Sequence, residues 1–211
     1  MEVLGKDLEK INKLLTELDE KREEILTLTR ELTRKAREAI FSLHRGDRER
    51  GIQSLEEARR LLRRILSFRE GFPNIYYAGY VISAQAEYVE AEMLYSILSG
   101  TAPPSFEDLG VEPQAYLQGL GDLIGELRRS ALDELRRDNF TRAWELVDLM
   151  ERIFYELSKF SLPEALTPGL RHKVDVARAL IDSTRKDILV SEKSIKLSRK
   201  IDHLLSGGAG D

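Results

Sequence analysis

Apolar side chains recur every three or four positions through the first 44 residues, a stretch much longer than a small globular core covers. This spacing puts one apolar stripe along a single helix from about Glu2 to His44, interrupted where Arg22 and Thr29 fill two of its steps. A helix of this length packs along other long helices, in its own chain or in a partner. The stripe consists of Leu4, Leu8, Ile11, Leu15, Leu18, Ile25, Leu32, Ala36, Ala39 and Leu43.

Glycine, proline and asparagine residues divide the rest of the chain into further helices. The predicted ranges are 47–70, 73–99, 113–137, 141–160 and 169–205, with one short turn at 105–109. No stretch of useful length alternates apolar and polar residues as a half-buried strand does. The predicted fold class is therefore all-α, an elongated bundle of six or seven mostly long antiparallel helices. A single domain is expected over residues 1–205, and residues 206–211 are expected to form a disordered tail.

Composition excludes several classes of protein. With 42% hydrophobic and 33% charged residues, the chain is neither disordered nor a membrane protein. The longest weakly charged stretch, residues 75–98, contains three glutamates that a membrane span would not readily tolerate. A charged, periodic segment follows Met1 directly, without a signal peptide, so we expect a cytoplasmic protein. Cysteine is absent, which excludes thiolate sites and leaves oxygen ligands, and hence magnesium, manganese or calcium, for any bound metal.

The formal net charge of the chain is −4, whereas proteins that bind nucleic acid are usually basic overall. This balance argues against tight, sequence-independent coating of DNA. It is compatible with a basic patch beside an acidic site that is filled by a metal ion.

Acidic residues are concentrated in a stretch that contains no cation. Between Glu70 and Leu127 there is no lysine, arginine or histidine, although the rest of the chain is rich in arginine. The third predicted helix therefore carries carboxylates in the most apolar segment of the protein. A buried carboxylate without a partner becomes protonated, pairs with a cation or binds a metal. The partner must come from elsewhere in the fold, from another subunit or from a bound ion.

Two pairs of these acids have helical spacing. Glu87 and Glu90 are three residues apart and Asp122 and Glu126 are four apart, so each pair shares one helix face. If two antiparallel helices bring the pairs together, the four carboxylates can bind one or two divalent cations that activate a water for phosphodiester cleavage. The alternatives are a solvated surface for Asp122 and Glu126 and a buried pairing with an arginine for Glu87 and Glu90. Glu92 is expected at the surface or an interface.

The same segments carry a family resemblance. Residues 86–91, Ala-Glu-Tyr-Val-Glu-Ala, closely resemble the segment Q-E-Y-V-E-A of translin-associated factor X. Residues 117–127 are similar to its segment Y-L-L-G-V-A-D-L-T-G-E-L, and residues 40–46 resemble the end of the first helix in the family. Residues 170–175, Leu-Arg-His-Lys-Val-Asp, resemble the segment L-R-K-R-Y-D of translin. The similarity spans most of the chain in the same order.

This resemblance implies an all-helical protomer that assembles into octamers around an internal cavity. It also implies an RNA-directed function, because translin binds single-stranded nucleic acid and translin-associated factor X supplies a magnesium-dependent endoribonuclease site. The catalytic acids of the family match Glu87, Glu90, Asp122 and Glu126, and translin departs from the pattern at the first and third of them. The chain therefore resembles the catalytic branch, as a homo-oligomer or with a translin-like partner subunit, with Mg²⁺ or Mn²⁺ as the cofactor.

The resemblance also suggests the residues that contact RNA. Arg171, His172, Lys173 and Arg178 match the basic run of translin, and phosphate contacts by such residues give salt-dependent binding with little sequence preference. The alternative is that they are ordinary solvated charges on a helix. Three functions remain open at this point: a metal-dependent endoribonuclease acting on single-stranded RNA, a non-catalytic oligomer that binds single-stranded nucleic acid, and a structural helical scaffold.

Overall fold

The computed structural model describes residues 2–207, and it describes the side chains of all of them except positions 2, 199, 203 and 205–207. Nine helices and no strand are present within this range, which confirms the predicted all-α class. The helices are α1 Glu2–His44, α2 Arg48–Leu66, α3 Phe68–Gly71, α4 Pro73–Tyr76, α5 Gly79–Ser99, α6 Phe106–Leu109, α7 Pro113–Arg136, α8 Phe140–Ser158 and α9 Leu170–Gly207.

Two of the predicted helices are shorter than the sequence suggests. The helix expected over 47–70 ends at Leu66, and α3 follows as a separate turn. The helix expected over 73–99 is divided into α4 and α5, because Ala78 has an extended backbone with ψ of 146°. The predicted disordered tail, residues 206–211, lies mostly outside the described residues, and α9 extends through its first two positions.

Backbone contacts divide the chain into two compact units, residues 1–119 and 120–211. The first unit contains α1 to α6 and the first residues of α7, and the second contains the rest of α7 together with α8 and α9. None of the helices in the described residues is long and apolar enough to span a membrane.

In the first unit, α1 and α2 form an antiparallel hairpin around a short turn. Gly46 adopts a φ of 76°, and Asp47 caps α2 by accepting a hydrogen bond from the backbone N–H of Arg50. Lys35 forms an ion pair with Glu57 at 2.7 Å near the middle of the hairpin.

The long helix α1 is buried along only part of its length. Its second half contributes Ile25, Leu28, Leu32, Ala36 and Ala39 to the core of the first unit. The first half continues the same apolar stripe, but these side chains are exposed in the single chain: Leu4, Leu8, Ile11, Leu14 and Leu15 are each more than half exposed. The stripe therefore extends beyond the surface that its own unit covers.

The segment that enters α7 is attached to α4 and α5 by a buried polar network. Tyr76 is fully buried and donates a hydrogen bond to Glu112 at 2.9 Å, while Gln85 accepts one from the backbone N–H of Glu112 at 2.9 Å. Burial raises the pKa of Tyr76 to about 12. These bonds fix the start of α7 relative to α5.

In the second unit, α8 and α9 pack in antiparallel fashion. Arg185 of α9 pairs with Glu151 of α8 at 2.7 Å, and Arg178, two turns earlier, lies over the ring of Phe154 at 5.5 Å. Arg128 connects α7 to α9 by donating to the hydroxyl of Thr184 at 2.8 Å and to Asp187 at 3.2 Å.

Candidate functional site

The first acidic pair lies on α5, the helix with the most buried side chains in the first unit. Glu90 is 8% exposed, and Glu87, one turn earlier, has a side chain that is 25% exposed. The spacing of three residues puts both carboxylates on one face, as predicted. Both are therefore shielded enough from water for nearby charges to act strongly on them.

The cation that neutralises Glu87 comes from α1. Arg37 makes a two-pronged contact with Glu87, with Nε 3.0 Å from Oε2 and a terminal nitrogen 2.5 Å from Oε1. These hydrogen bonds raise the pKa of the Arg37 guanidinium, and the charge of Glu90 raises it further. The sequence left three possible partners for a buried carboxylate: a residue from elsewhere in the fold, another subunit or a bound ion. For Glu87, the structure shows a residue from elsewhere in the fold.

Glu92 corrects an expectation from the sequence. It was expected at the surface or an interface, but it is only 3% exposed within its own chain. Arg59 of α2 binds both of its oxygens at 2.7 Å, and these bonds raise the pKa of the guanidinium. Packing of α2 against α5 encloses this carboxylate, so Glu92 is a buried structural ion pair on a different side of α5 from Glu87.

The second acidic pair lies on α7 in the second unit. Asp122 and Glu126 have side chains that are 39% and 24% exposed, so neither is fully solvated. Lys173 of α9 forms a short ion pair with Asp122. Arg129, on the same helix, approaches Glu126 at 3.9 Å. The carboxylates of this pair are thus also balanced by cations of the chain.

Two glycines of α7 allow close packing next to these acids. A Cβ on Gly119 would lie 2.6 Å from the carbonyl oxygen of Ala86 and 2.7 Å from the Cβ of Val89, so α7 meets α5 at the turn that carries Glu87. A Cβ on Gly121 would lie 2.9 Å from the stem of Lys173. A larger residue at either position would therefore force its neighbour to shift.

The four predicted RNA-contacting residues lie at the start of α9. Arg171, His172 and Arg178 are exposed, and only Lys173 is partly buried. Lys173 extends across Gly121 and is held by Asp122. Arg171 and Arg178 are thus accessible to phosphate, whereas Lys173 must leave Asp122 to reach it.

The chemistry of the acids fits a hard divalent cation, since all of the donors are carboxylate oxygens. Within the part of the chain that the structure describes, however, no three histidine, aspartate or glutamate side chains are grouped as they would be around a metal ion. A cation that binds Glu87 or Asp122 has to displace Arg37 or Lys173. The exposed side chain of Arg37, at 67%, has room to move away from Glu87.

Comparison with known proteins identifies a family whose sequence profile covers both acidic pairs. The sequence profile of the translin family matches residues 78–182, which include all four acids and all four basic candidates. An uncharacterized protein of Methanocaldococcus jannaschii is 31% identical over 205 residues, covering 95% of this chain and 90% of that protein. The chain belongs to the translin family.

Solved structures resemble this translin-family protein closely. The structure of AfC3PO in complex with duplex RNA has a TM-score of 0.82 and 37% identity, covering 89% of this chain and 97% of that one. A crystal structure of AfC3PO alone gives the same TM-score with 38% identity and the same coverage. The structure of apo-NeC3PO has a TM-score of 0.79 and 27% identity, covering 87% of this chain and 96% of that one. The predicted translin-like fold is thereby confirmed.

The sequence missed the cations of this translin-family site. Arg37 lies 50 residues from Glu87, on the polar face of α1, where it looks like any solvated arginine. The one available signal was the absence of lysine and arginine from residues 70–127, which requires that any partner come from another element. Lys173 was identified, but as a phosphate contact and not as the partner of Asp122.

Proposed function

We propose that this translin-family protein binds RNA and cleaves single-stranded RNA in a metal-dependent reaction. The observation that carries the proposal is the presence of all four family acids in a chain 37% identical to AfC3PO, a protein solved in complex with duplex RNA. The resemblance to translin-associated factor X supports the catalytic part, because translin lacks two of these acids.

Glu87, Glu90, Asp122 and Glu126 are the proposed ligands of Mg²⁺ or Mn²⁺. A bound divalent cation supplies a water of lowered pKa and positive charge next to the scissile phosphate. The protein's own part is to hold the carboxylates in place beside positive charge until the ion binds. Arg37 pairs with Glu87 and Lys173 with Asp122, and a bound divalent cation would take over these contacts.

Arg171, His172, Lys173 and Arg178 are the proposed contacts to the RNA backbone. Arg171 and Arg178 are exposed on α9 and are available to phosphate oxygens. Once Lys173 is displaced from Asp122, its ammonium group adds a further phosphate contact. Binding through such contacts weakens steeply as salt is added.

We also propose a homo-oligomer, an octamer by resemblance, in a cytoplasmic location. The exposed apolar stripe on the first half of α1 supports oligomerisation, because monomeric proteins seldom leave so long an apolar strip in water. A translin-like partner subunit is the alternative occupant of that stripe. Light scattering distinguishes the two, since a homo-oligomer forms from the purified chain alone.

The test is cleavage of an end-labelled, unstructured RNA by the wild type, Glu87→Ala and Glu107→Ala, each with Mg²⁺ and with chelator. Glu107 is an exposed acid of the same cation-free stretch and serves as the matched control. We expect cleavage by the wild type and Glu107→Ala with Mg²⁺ only, and none by Glu87→Ala. Equal cleavage by all three proteins rejects the assignment of the site.

The second candidate is an RNA-binding oligomer without catalysis. The ion pairs of Arg37 with Glu87 and of Lys173 with Asp122 favour it, because they neutralise two of the acids without a metal. It predicts salt-sensitive RNA binding with no product in either Mg²⁺ or chelator. The cleavage assay therefore decides between the two candidates.

A further inference from the structure

A groove of about 310 Å³ lies on the surface of the second unit between α8 and α9. This volume is at the lower end of small-molecule sites, roughly 300–1,000 Å³. Phe154 and Tyr155 line it from α8, while Arg178, Ile181 and Arg185 line it from α9. All of these residues belong to the same unit and are separate from the acidic pairs described above.

The aromatic side of the groove is unusually open to solvent. Tyr155 is 64% exposed, whereas the buried face of the same helix is formed by Ala143, Val147, Met150 and Leu157. Tyrosine presents a flat apolar face and a polar tip, so an exposed ring can stack on a flat partner without losing a hydrogen bond.

Cations surround the two aromatic rings. The ammonium group of Lys159 is 4.5 Å from the centre of the Tyr155 ring, and the guanidinium of Arg178 is 5.5 Å from the centre of the Phe154 ring. An aromatic face next to a cation is an arrangement by which proteins hold single-stranded nucleic acid, with the base on the ring and the phosphate on the cation.

The groove also contains two acids, which limit the position of a phosphate. Glu151 is neutralised by Arg185 at 2.7 Å. Asp182 is exposed one turn after Arg178 on α9 and repels a phosphate from its end of the groove. Lys159 is already paired with Glu156 at 2.6 Å. The charges therefore favour a phosphate beside Arg178 and a neutral, flat base over the rings.

We propose that this groove binds one unpaired nucleotide of RNA, with the base stacked on Tyr155 in place of the Lys159 ammonium group and its phosphate paired with Arg178. The inference rests on the proposed RNA binding and assigns the selection of unpaired bases to this groove. In a duplex the faces of each base are covered by its neighbours, so only an unstacked base fits. The groove thereby gives the protein a way to distinguish single strands that phosphate contacts alone do not provide.

The test measures the affinity of the wild type, Tyr155→Ala and Tyr155→Phe for a fluorescent single-stranded RNA and for a duplex of the same length, in chelator. Loss of one base–aromatic stack lowers affinity by roughly 5- to 150-fold. We expect Tyr155→Ala to lose this factor for the single strand only, and Tyr155→Phe to bind like the wild type. Light scattering and circular dichroism of each variant check assembly and folding.

Other outcomes overturn the proposal in distinguishable ways. Wild-type binding with no loss in Tyr155→Ala rejects the groove and leaves RNA binding intact, whereas no binding by the wild type rejects both. Loss of single-strand and duplex binding together with a changed oligomer mass identifies the groove as a subunit interface instead.

Photo-crosslinking of the wild type to 4-thiouridine RNA provides a measurement that needs no variant. Crosslinks at residues 154–159 support the site, and crosslinks that occur only elsewhere reject it.

Discussion

The contact of Gly119 with α5 allows a prediction that uses a second glycine of the same helix as its control. A methyl group on Gly119 would lie 2.6 Å from the carbonyl oxygen of Ala86 and 2.7 Å from the Cβ of Val89. Both obstacles belong to the backbone or its first side-chain atom, so neither can rotate away. A methyl group on Gly125 meets nothing within 4 Å. The substitution to alanine is thus blocked at one position and unhindered at the other.

The expected size of the effect follows from these distances. Overpacking lowers the free energy of unfolding by roughly 1–3 kcal/mol. Alanine in place of glycine in a helix raises it by roughly 0.5–1 kcal/mol. We therefore expect Gly119→Ala to lose about 1–2 kcal/mol of unfolding free energy and Gly125→Ala to gain up to about 1 kcal/mol. For a chain of this size, a gap of about 1–3 kcal/mol separates the melting temperatures by roughly 2–12 °C.

The assay is thermal unfolding of both variants by far-ultraviolet circular dichroism, at one fixed protein concentration because assembly shifts the midpoint. Melting of Gly119→Ala clearly below the wild type, with Gly125→Ala at or above it, supports the described packing of α7 on α5. Equal melting temperatures for the two variants refute the close contact at Gly119.

Three further predictions concern individual side chains. Arg59→Met leaves Glu92 buried without its partner, so it should lower the free energy of unfolding, measured in urea, by about 3–5 kcal/mol. Replacing both residues by methionine should recover most of this loss. Because the folded protein keeps the Tyr76 proton up to a pKa of about 12 while the unfolded chain loses it near 10, the stability from this group is complete below pH 10 and declines as the pH rises to 12. Tyr76→Phe should reduce the fall of the unfolding free energy with pH, measured by urea unfolding between pH 10 and 12. If the fall is as steep as in the wild type, Tyr76 is not the group responsible. Lys173→Met should strengthen Mn²⁺ binding, because Asp122 loses its competing cation, and should weaken RNA binding in chelator; calorimetry and fluorescence anisotropy measure the two effects.

The sequence predicts the course of the fold well where local rules decide it. The start of α2 at Asp47 and the ends of the long helices follow from capping residues, glycines and prolines. The division between α4 and α5 was missed although Gly79 directly follows the extended Ala78, because an isolated glycine within an apolar helical pattern is compatible with an unbroken helix. Local rules thus identify an element, but a single glycine does not decide whether the helix breaks there.

The shared helix face of each acidic pair follows from the sequence, whereas the cations that contact the acids do not. Helical spacing groups Glu87 with Glu90 and Asp122 with Glu126, and the family resemblance assigns them a role. The pairing of Arg37 with Glu87 depends on the rotation of α1 about its axis, which an interrupted apolar stripe leaves poorly defined. The burial of Glu92 was also missed, because nothing in its local sequence shows that Arg59 of α2 covers it.

Binding of Mn²⁺, followed by the electron paramagnetic resonance signal of the free ion, tests most directly whether the acids form a metal site. Removing even a supporting residue of a metal site lowers affinity by roughly 10–100-fold. The wild type and Glu107→Gln should therefore bind Mn²⁺ equally, while Glu87→Gln and Asp122→Asn should each bind at least about tenfold more weakly. Equal Mn²⁺ binding by all four proteins, or no binding by the wild type, contradicts the metal-dependent function.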